Sequence, residues 1–283
     1  MNQSYYFQFN VYEILWFFFM KKTLIVLAVT ASFMTSGSAM AWTPNGSGGS
    51  VELGGTLTPA EKVTLWEVKT GDTVTNLDAQ IQKGQQNVDI VVKKAIPVLG
   101  IRNADENGFA GIASGNIIPQ ITYENNAVDV NSFSNGITTL TLDVHNESGD
   151  KIGIMTTLFS AAAYSSWDDG NNTGSVQLMS SATGAYFGGL GKTTNAVRSS
   201  VESAYNLIKS LDDEYTAKTP LGKILAGNIS DNEYFVDEAD MFKSAYGAGI
   251  EAGKTISIAL NTPAEGNSSV TWKASLPITV TYQ

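Results

Sequence analysis

The sequence contains no cysteine and a single histidine, His145. Thiol nucleophiles, thiolate metal sites and iron–sulfur clusters are therefore excluded, as are metal centres built on two or three histidines. An exported protein is free to use disulfides, so this chain, read below as exported, must be held together by core burial alone. Positive charge is also scarce. Seventeen Lys and Arg face 27 Asp and Glu, a net charge of −10. Such a surface repels phosphate backbones, which argues against a nucleic-acid partner. The acids are scattered rather than run together, a pattern of solubility and not of an acidic tail. No internal repeat is visible.

Long hydrophobic runs are missing too. Met20-Lys21-Lys22 precedes a short apolar run over 23–33, and small residues then end in Ala39-Met40-Ala41 before Trp42. This is the n-, h- and c-region order of a secretory signal peptide with an A-x-A cleavage site. The run falls short of the roughly 20 apolar residues a membrane span requires. Residues 1–19 carry Trp16-Phe17-Phe18-Phe19 but no Lys or Arg, a poor n-region. They read as an upstream extension, with Met20 as the start. The alternative is an uncleaved anchor running through both segments, which Lys21 and Lys22 interrupt. The expected organisation is an extension over 1–19, a signal peptide over 20–41, a leader over 42–58 and a folded domain over 59–283.

The leader is rich in Gly, Ser, Asn and Pro, too poor in apolar side chains to fold alone. Its end nevertheless alternates. Val51, Leu53 and Leu57 lie on one face with Gly55 between them, while Ser50, Glu52, Gly54 and Thr56 lie on the other. A half-apolar strand on a loose leader suggests a strand meant for pairing.

Strand candidates follow at 63–68, 88–92, 117–123, 137–144, 152–159, 255–260 and 270–282, separated by Gly, Asn and Asp clusters such as Ser134-Asn135-Gly136. This spacing, with little helix between, predicts a β-sandwich rather than a parallel α/β sheet. Residues 161–245 break the pattern and are expected to form a partly helical insertion. Ala196, Val197, Val201, Ala204, Tyr205, Ile208 and Leu211 predict one amphipathic helix of about four turns. Shorter helices are expected at 223–226 and 238–246. The last strand puts Leu276, Ile278, Val280 and Tyr282 on one face and Thr279 and Thr281 on the other. Most domains end in a frayed tail; here the final residues are themselves core-like. Both ends thus suit recognition by another polypeptide through strand addition. An ordinary sandwich whose termini pair with each other is the other reading.

The sequence resembles the adhesive major subunits of kappa-clade, Fae-type chaperone–usher fimbriae of enterotoxigenic bacteria. The stretches that carry the likeness are 50–58 (SVELGGTLT), 65–69 (LWEVK), 118–121 (IPQI), 186–190 (YFGGL), 244–256 (SAYGAGIEAGKTI) and the closing strand with its penultimate Tyr282. The resemblance implies a mainly β, incomplete immunoglobulin-like sandwich that is completed by donor-strand exchange. A periplasmic chaperone and then an outer-membrane usher would recognise the last strand. Copies would join head to tail through the leader, at the cell surface. It also implies that the major subunit itself binds host glycoproteins or glycolipids through the insertion, without identifying the contact residues.

Sugar recognition favours an aromatic face beside amides and carboxylates. Trp167, Asp168, Asp169, Asn171 and Asn172 supply that mixture in one predicted loop, although a surface turn whose Trp packs back onto the sandwich fits the same residues. Tyr186 and Phe187 are a second candidate, with core packing the simpler reading. Asp231, Glu233, Asp237, Glu238 and Asp240 form an acidic cluster without the glycine and terminal glutamate of a calcium loop, better read as a solvated helix start. No cofactor is expected, and no G-x-S-x-G elbow is present. A carboxylate-pair glycosidase needs only two acids at the right separation, which sequence does not give. A polymerising adhesive subunit is the leading reading, and a monomeric secreted carbohydrate-binding module the alternative.

Overall fold

The computed structural model of the chain describes residues 44–45, 53–57, 65–113, 118–224, 230–265 and 269–283. The expectations for residues 1–41, and Val51 of the leader, lie outside them. The chain divides into two units, Met1–Ala60 and Glu61–Gln283. In the first, residues 53–57 carry no regular secondary structure, and Leu53 and Leu57 are 94% and 98% exposed.

The second unit is mainly β, an immunoglobulin-like β-sandwich with a small helical insertion. Its spine is β7 (Lys151–Asp168), which belongs to two sets of neighbours in turn. Over residues 151–160 it pairs antiparallel with β6 (Ile137–His145) and β11 (Thr255–Leu260), and β11 in turn pairs with β2 (Asn87–Val91). Over 160–168 it pairs with β10 (Met241–Ile250) and β8 (Thr173–Leu178). β10 continues to β3 (Ile96–Asn103), and β3 to the edge strand β1 (Trp66–Thr70). Two short strands, β4 (Phe109–Ala110) and β9 (Ser230–Asp231), add to β10 and β8. A separate two-stranded sheet joins β5 (Pro119–Tyr123) to β12 (Ile278–Tyr282).

Burial along β7 explains where sequence reading stopped. From Ile152 to Leu158 the strand faces alternate, because only one face is covered. From Phe159 to Ser166 every residue is buried, because the second face is covered by helix α1 (Val201–Leu211). That helix starts at Ser200, whose hydroxyl accepts from Ser203 N–H at 3.1 Å while Ser203 Oγ accepts from Ser200 N–H at 3.0 Å, a reciprocal cap. Val201, Ala204, Leu207, Ile208 and Leu211 then form its buried stripe, against Ala162, Tyr164 and Ala245. A 3₁₀ turn, Asp213–Thr216, follows directly.

Two helical expectations are corrected. Where a helix was expected over 238–246, residues 241–250 form β10; from Ser244 to Ile250 every residue is buried, so no period-2 alternation marks that part as a strand. At 223–226 the described residues are not helical; Ile224 makes an isolated bridge to Ser175. The main helix is also shorter than expected, since Ala196 belongs to a separate 3₁₀ turn, Thr194–Ala196. Residues 270–277 precede β12 without ladder structure apart from the bridge of Lys273 to His145.

The main core gathers around aromatic rings. Trp66 lies 5.0 Å from Phe109 and 5.3 Å from Phe235, and Tyr186 stacks on Tyr246 at 5.3 Å. Most of the buried polar side chains are paired. Asn103, fully buried, accepts from Thr219 Oγ1 at 2.9 Å and from Ser244 N–H at 3.1 Å, tying the turn after α1 to the sheet.

Candidate functional site: the open edge of the last strand

Among the described residues, β12 has a neighbour on one side only. Gln283 and Ile118 exchange both backbone hydrogen bonds, and Glu124 N–H donates to Pro277 C=O. In an antiparallel ladder such pairs recur every second residue. Thr279 and Thr281 therefore face β5 with their backbone groups, and Ile278, Val280 and Tyr282 turn theirs to the opposite edge. Among the described residues, nothing pairs with that edge. The far side of β5 is closed, by contrast: Ile121 N–H donates to Phe187 C=O at 2.8 Å and Tyr186 N–H to Pro119 C=O at 2.7 Å.

The side chains tell the same story. Trp272, Ala274, Leu276, Ile278 and Val280 pack on the main core yet are only half-buried, alternating with exposed Lys273, Ser275, Pro277, Thr279 and Thr281. Tyr282 is 42% exposed, and its partial burial raises the phenol above its ordinary value. Leu77, Val88, Ile152 and Leu260 are half-buried against the same core. Residues 72–81 make no backbone hydrogen bond to any described residue. An apolar row on an unpaired edge is normally an aggregation hazard. Trp272 and Ala274 extend the row beyond the four residues singled out from sequence, and their alternation with Lys273 and Ser275 was the signal available for them.

The sugar-binding candidates sit at the turn between β7 and β8. Asp168 Oδ1 accepts from Gly170 N–H at 2.8 Å, and Asp169 Oδ1 from Asn171 and Asn172 N–H at 2.7 and 2.6 Å. The backbone N–H groups of Asn172 and Asn171 hold the half-buried Asp169 carboxyl below its ordinary value. These side chains build the turn itself. Trp167 is half-buried, its indole lying over Gly174, where an added Cβ would come within 2.8 Å of the ring. The structure thus brings the five residues together, with the ring against the sheet. Tyr186 is fully buried, its hydroxyl 2.9 Å from Ser244 Oγ, and Phe187 is half-buried under Lys192.

The acidic cluster lies before β10, with Asp231 in β9 and the other four in loop and turn rather than at a helix start. Asp237 Oδ1 accepts from Ala239 N–H, and Glu233 Oε1 from Tyr234 and Phe235 N–H. Burial, helped by Asp237, Asp169 and Asp168, pushes Asp240 up. Among the described residues no three such side chains are grouped to hold a metal ion, and no helix is long and apolar enough to cross a membrane.

These features define a mainly β, immunoglobulin-like subunit with an unfilled sheet edge. Over residues 20–283 the sequence matches the family described as "Fimbrial, major and minor subunit", and the chain belongs to that family. It is 29% identical to the F41 fimbrial protein of Escherichia coli, covering 93% of this chain and all of that one. It is 28% identical to the K88 fimbrial protein AB and 27% to the K88 fimbrial protein AC, both of Escherichia coli, with the same coverage. The protein is a structural subunit of a surface fimbria of the K88 type and assembles with other subunits into a polymer.

Proposed function

We propose that this subunit polymerises by donor-strand exchange, with Val51, Leu53, Gly55 and Leu57 of one copy laid along the open edge of β12 in the next. The observation that carries the reading is the conjunction of Ile278, Val280 and Tyr282: half-exposed apolar side chains on a strand whose backbone groups on that edge have no partner among the described residues. An added strand would satisfy those groups and cover Trp272, Ala274 and Leu276 as well. Burying the side chains of Val51, Leu53 and Leu57 contributes on the order of 1.5–3 kcal/mol each before ordering costs. Each copy donates to its neighbour, so the contact is head-to-tail and yields an open filament.

The same edge must be covered before assembly. A periplasmic chaperone does so first, and an outer-membrane usher then directs the exchange; Leu276, Ile278, Val280 and Tyr282 are the residues both recognise. The signal peptide over 20–41 routes the chain through the periplasm to the surface. The assembled subunit is adhesive and binds host glycoconjugates through its insertion. Trp167, Asp168, Asp169, Asn171 and Asn172 remain candidate contacts, with the exposed Asp168 and Asn171 side chains at the tip of the turn.

The test compares three periplasmic chains without added chaperone: residues 42–283, the same chain lacking 42–58, and that truncation with 42–58 joined after Gln283. The truncation is expected to aggregate or be degraded, and the rejoined form to be a soluble monomer that melts cooperatively. A truncation as stable as the rejoined chain overturns the reading.

A further inference from the structure

The strands β6, β7, β11 and β2 carry a bare face on the side away from the core, and their registers set it out in rows. In one row Thr139 stands opposite Leu158 and Thr255 opposite Val91; carrying the β11–β7 register one residue on puts Thr255 beside Leu158. The next row centres on Thr156, between Thr141 and Ser257, and the third on Ile154, between Asp143 and Ala259. Val91, Leu158 and Ile154 are 61%, 45% and 40% exposed. Among the described residues, none of the three packs on either core cluster. Val88 and Leu260, which do pack on the main core, lie on the other face of the same strands, so a strand added along β12 leaves this face bare.

The water side of such a sheet normally carries polar residues. Here aliphatic side chains alternate with threonines, whose methyl groups lie between them, and charge is nearly absent. Asp143 is paired with Lys151 Nζ at 2.6 Å, and Asp89 accepts from Ser257 Oγ at 2.6 Å. The whole chain carries −10, so two copies repel each other in most orientations and least across this face.

A flat sheet face is matched by another, and such faces stack about 10 Å apart. A second copy supplies one through a two-fold axis, the same patch serving both partners. Three rows about 6.8 Å apart on four strands about 4.8 Å apart make a footprint of roughly 400 Å². A stable interface takes about 800 Å² from each partner, so this face is too small to hold two free subunits together. Where the subunit repeats along a polymer, the face repeats with it. Two filaments of the same subunit share one repeat, so the first contact brings the next pair together at high effective concentration.

We propose that this face is a lateral contact between filaments, on which copies of the subunit in neighbouring fimbriae pack sheet to sheet. The inference rests on polymer assembly alone, and not on how the subunits are joined or on what they adhere to.

The test uses fimbriae sheared from cells expressing the full chain, read by low-speed sedimentation and by the width of filament bundles in electron micrographs. Parent fimbriae are expected to bundle, and more so as salt rises from about 0.01 to about 0.15 M and the screening length falls from about 30 to about 8 Å. Leu158→Lys should give single filaments of parental length at an unchanged melting temperature, with the sedimented fraction down about tenfold. Val91→Lys, at the most exposed of the three positions, should do the same and serves if Leu158→Lys melts lower. Each variant lowers the net negative charge, which on its own would favour clumping. Asn206→Lys, on the exposed side of α1, makes the same charge change and should bundle like the parent. Single parental filaments at both salt concentrations overturn the proposal. So does bundling of Leu158→Lys and Val91→Lys at the parental level, or dispersal of Asn206→Lys as well. Shortened filaments in the variants would make the face a contact within the filament and overturn it too.

Discussion

Gly100 and Gly247 face each other across the antiparallel pair β3–β10, and both are required by what lies above them. A Cβ at Gly100 would fall 2.3 Å from the Tyr215 ring, and one at Gly247 2.8 Å from Ile208 Cγ2. Ala162 of β7 stands opposite Gly247 in turn. The three small residues form a shallow seat across three strands, and the insertion is held on the sandwich by filling it.

Larger side chains in this seat should lift the insertion without dissolving the sandwich. Gly247→Val is expected to cost about 1–3 kcal/mol by overpacking, and Gly100→Val to do the same by displacing Tyr215. Chemical unfolding measures the cost. Limited proteolysis should show new cuts between 196 and 220 and none in β6, β7 or β11. Unchanged protection of 196–220 would contradict the seat.

The buried hydroxyl pair gives an ordered prediction. Tyr123 and Tyr246 hydroxyls lie 2.7 Å apart, and Tyr246 also donates to Gly189 C=O at 3.1 Å. Tyr246→Phe strands both the Tyr123 hydroxyl and the Gly189 carbonyl, whereas Tyr123→Phe leaves Tyr246 bonded to Gly189. The first should cost about 1–3 kcal/mol and the second clearly less, as read from denaturation midpoints at fixed slope.

Acid should loosen the tie between the insertion and the sheet. Glu251 receives hydrogen bonds from Ser160 Oγ and from Arg198 Nη2, the latter at 2.8 Å. Burial pushes this carboxyl up, but Ser160 and Arg198 outweigh it, so it ends below its ordinary value of 4.5. A carboxyl held low stabilises the fold above its unfolded pKa and loses that contribution as pH falls through the folded one. Stability should therefore decline below about pH 4.5, and Glu251→Gln should flatten that part of the profile. At neutral pH the variant is expected to be about 1–3 kcal/mol less stable, since Arg198 is left largely buried without its charged partner. A profile unchanged by the substitution would remove Glu251 from this role.

Leader substitutions separate folding from assembly. Leu53 and Leu57 are almost wholly exposed, so under the proposed donor-strand exchange Leu57→Ser should leave the melting temperature of the unassembled subunit unchanged while sharply reducing filament length by electron microscopy. Val280→Asp, on β12, should on the same proposal reduce filaments as strongly even with a normal leader. Filaments of normal length from both variants would show that another contact joins the subunits.

Sequence alone determined the elements whose one face is bare. Thr255–Leu260 is recovered residue for residue as β11, and β6 and the first half of β7 nearly so, because period-2 alternation survives wherever a strand has water on one side. The amphipathic stripe of α1 and the alternating Leu276, Ile278, Val280 and Tyr282 were legible for the same reason. What only the tertiary structure decided lies where both faces are covered or where partners come from far along the chain. β10 was mistaken for a helix because its two buried faces erase the period. The eight-residue strand β3 went unseen, and the seat of Gly100, Gly247 and Ala162 exists only once three strands are in register. The pairing of Lys69 with Asp212 and Glu214 joins residues 143 and 145 positions apart, through contacts that no local pattern encodes. That one edge of β12 is unpaired is likewise a fact about neighbours, whereas the alternation of its side chains is a fact about the strand itself.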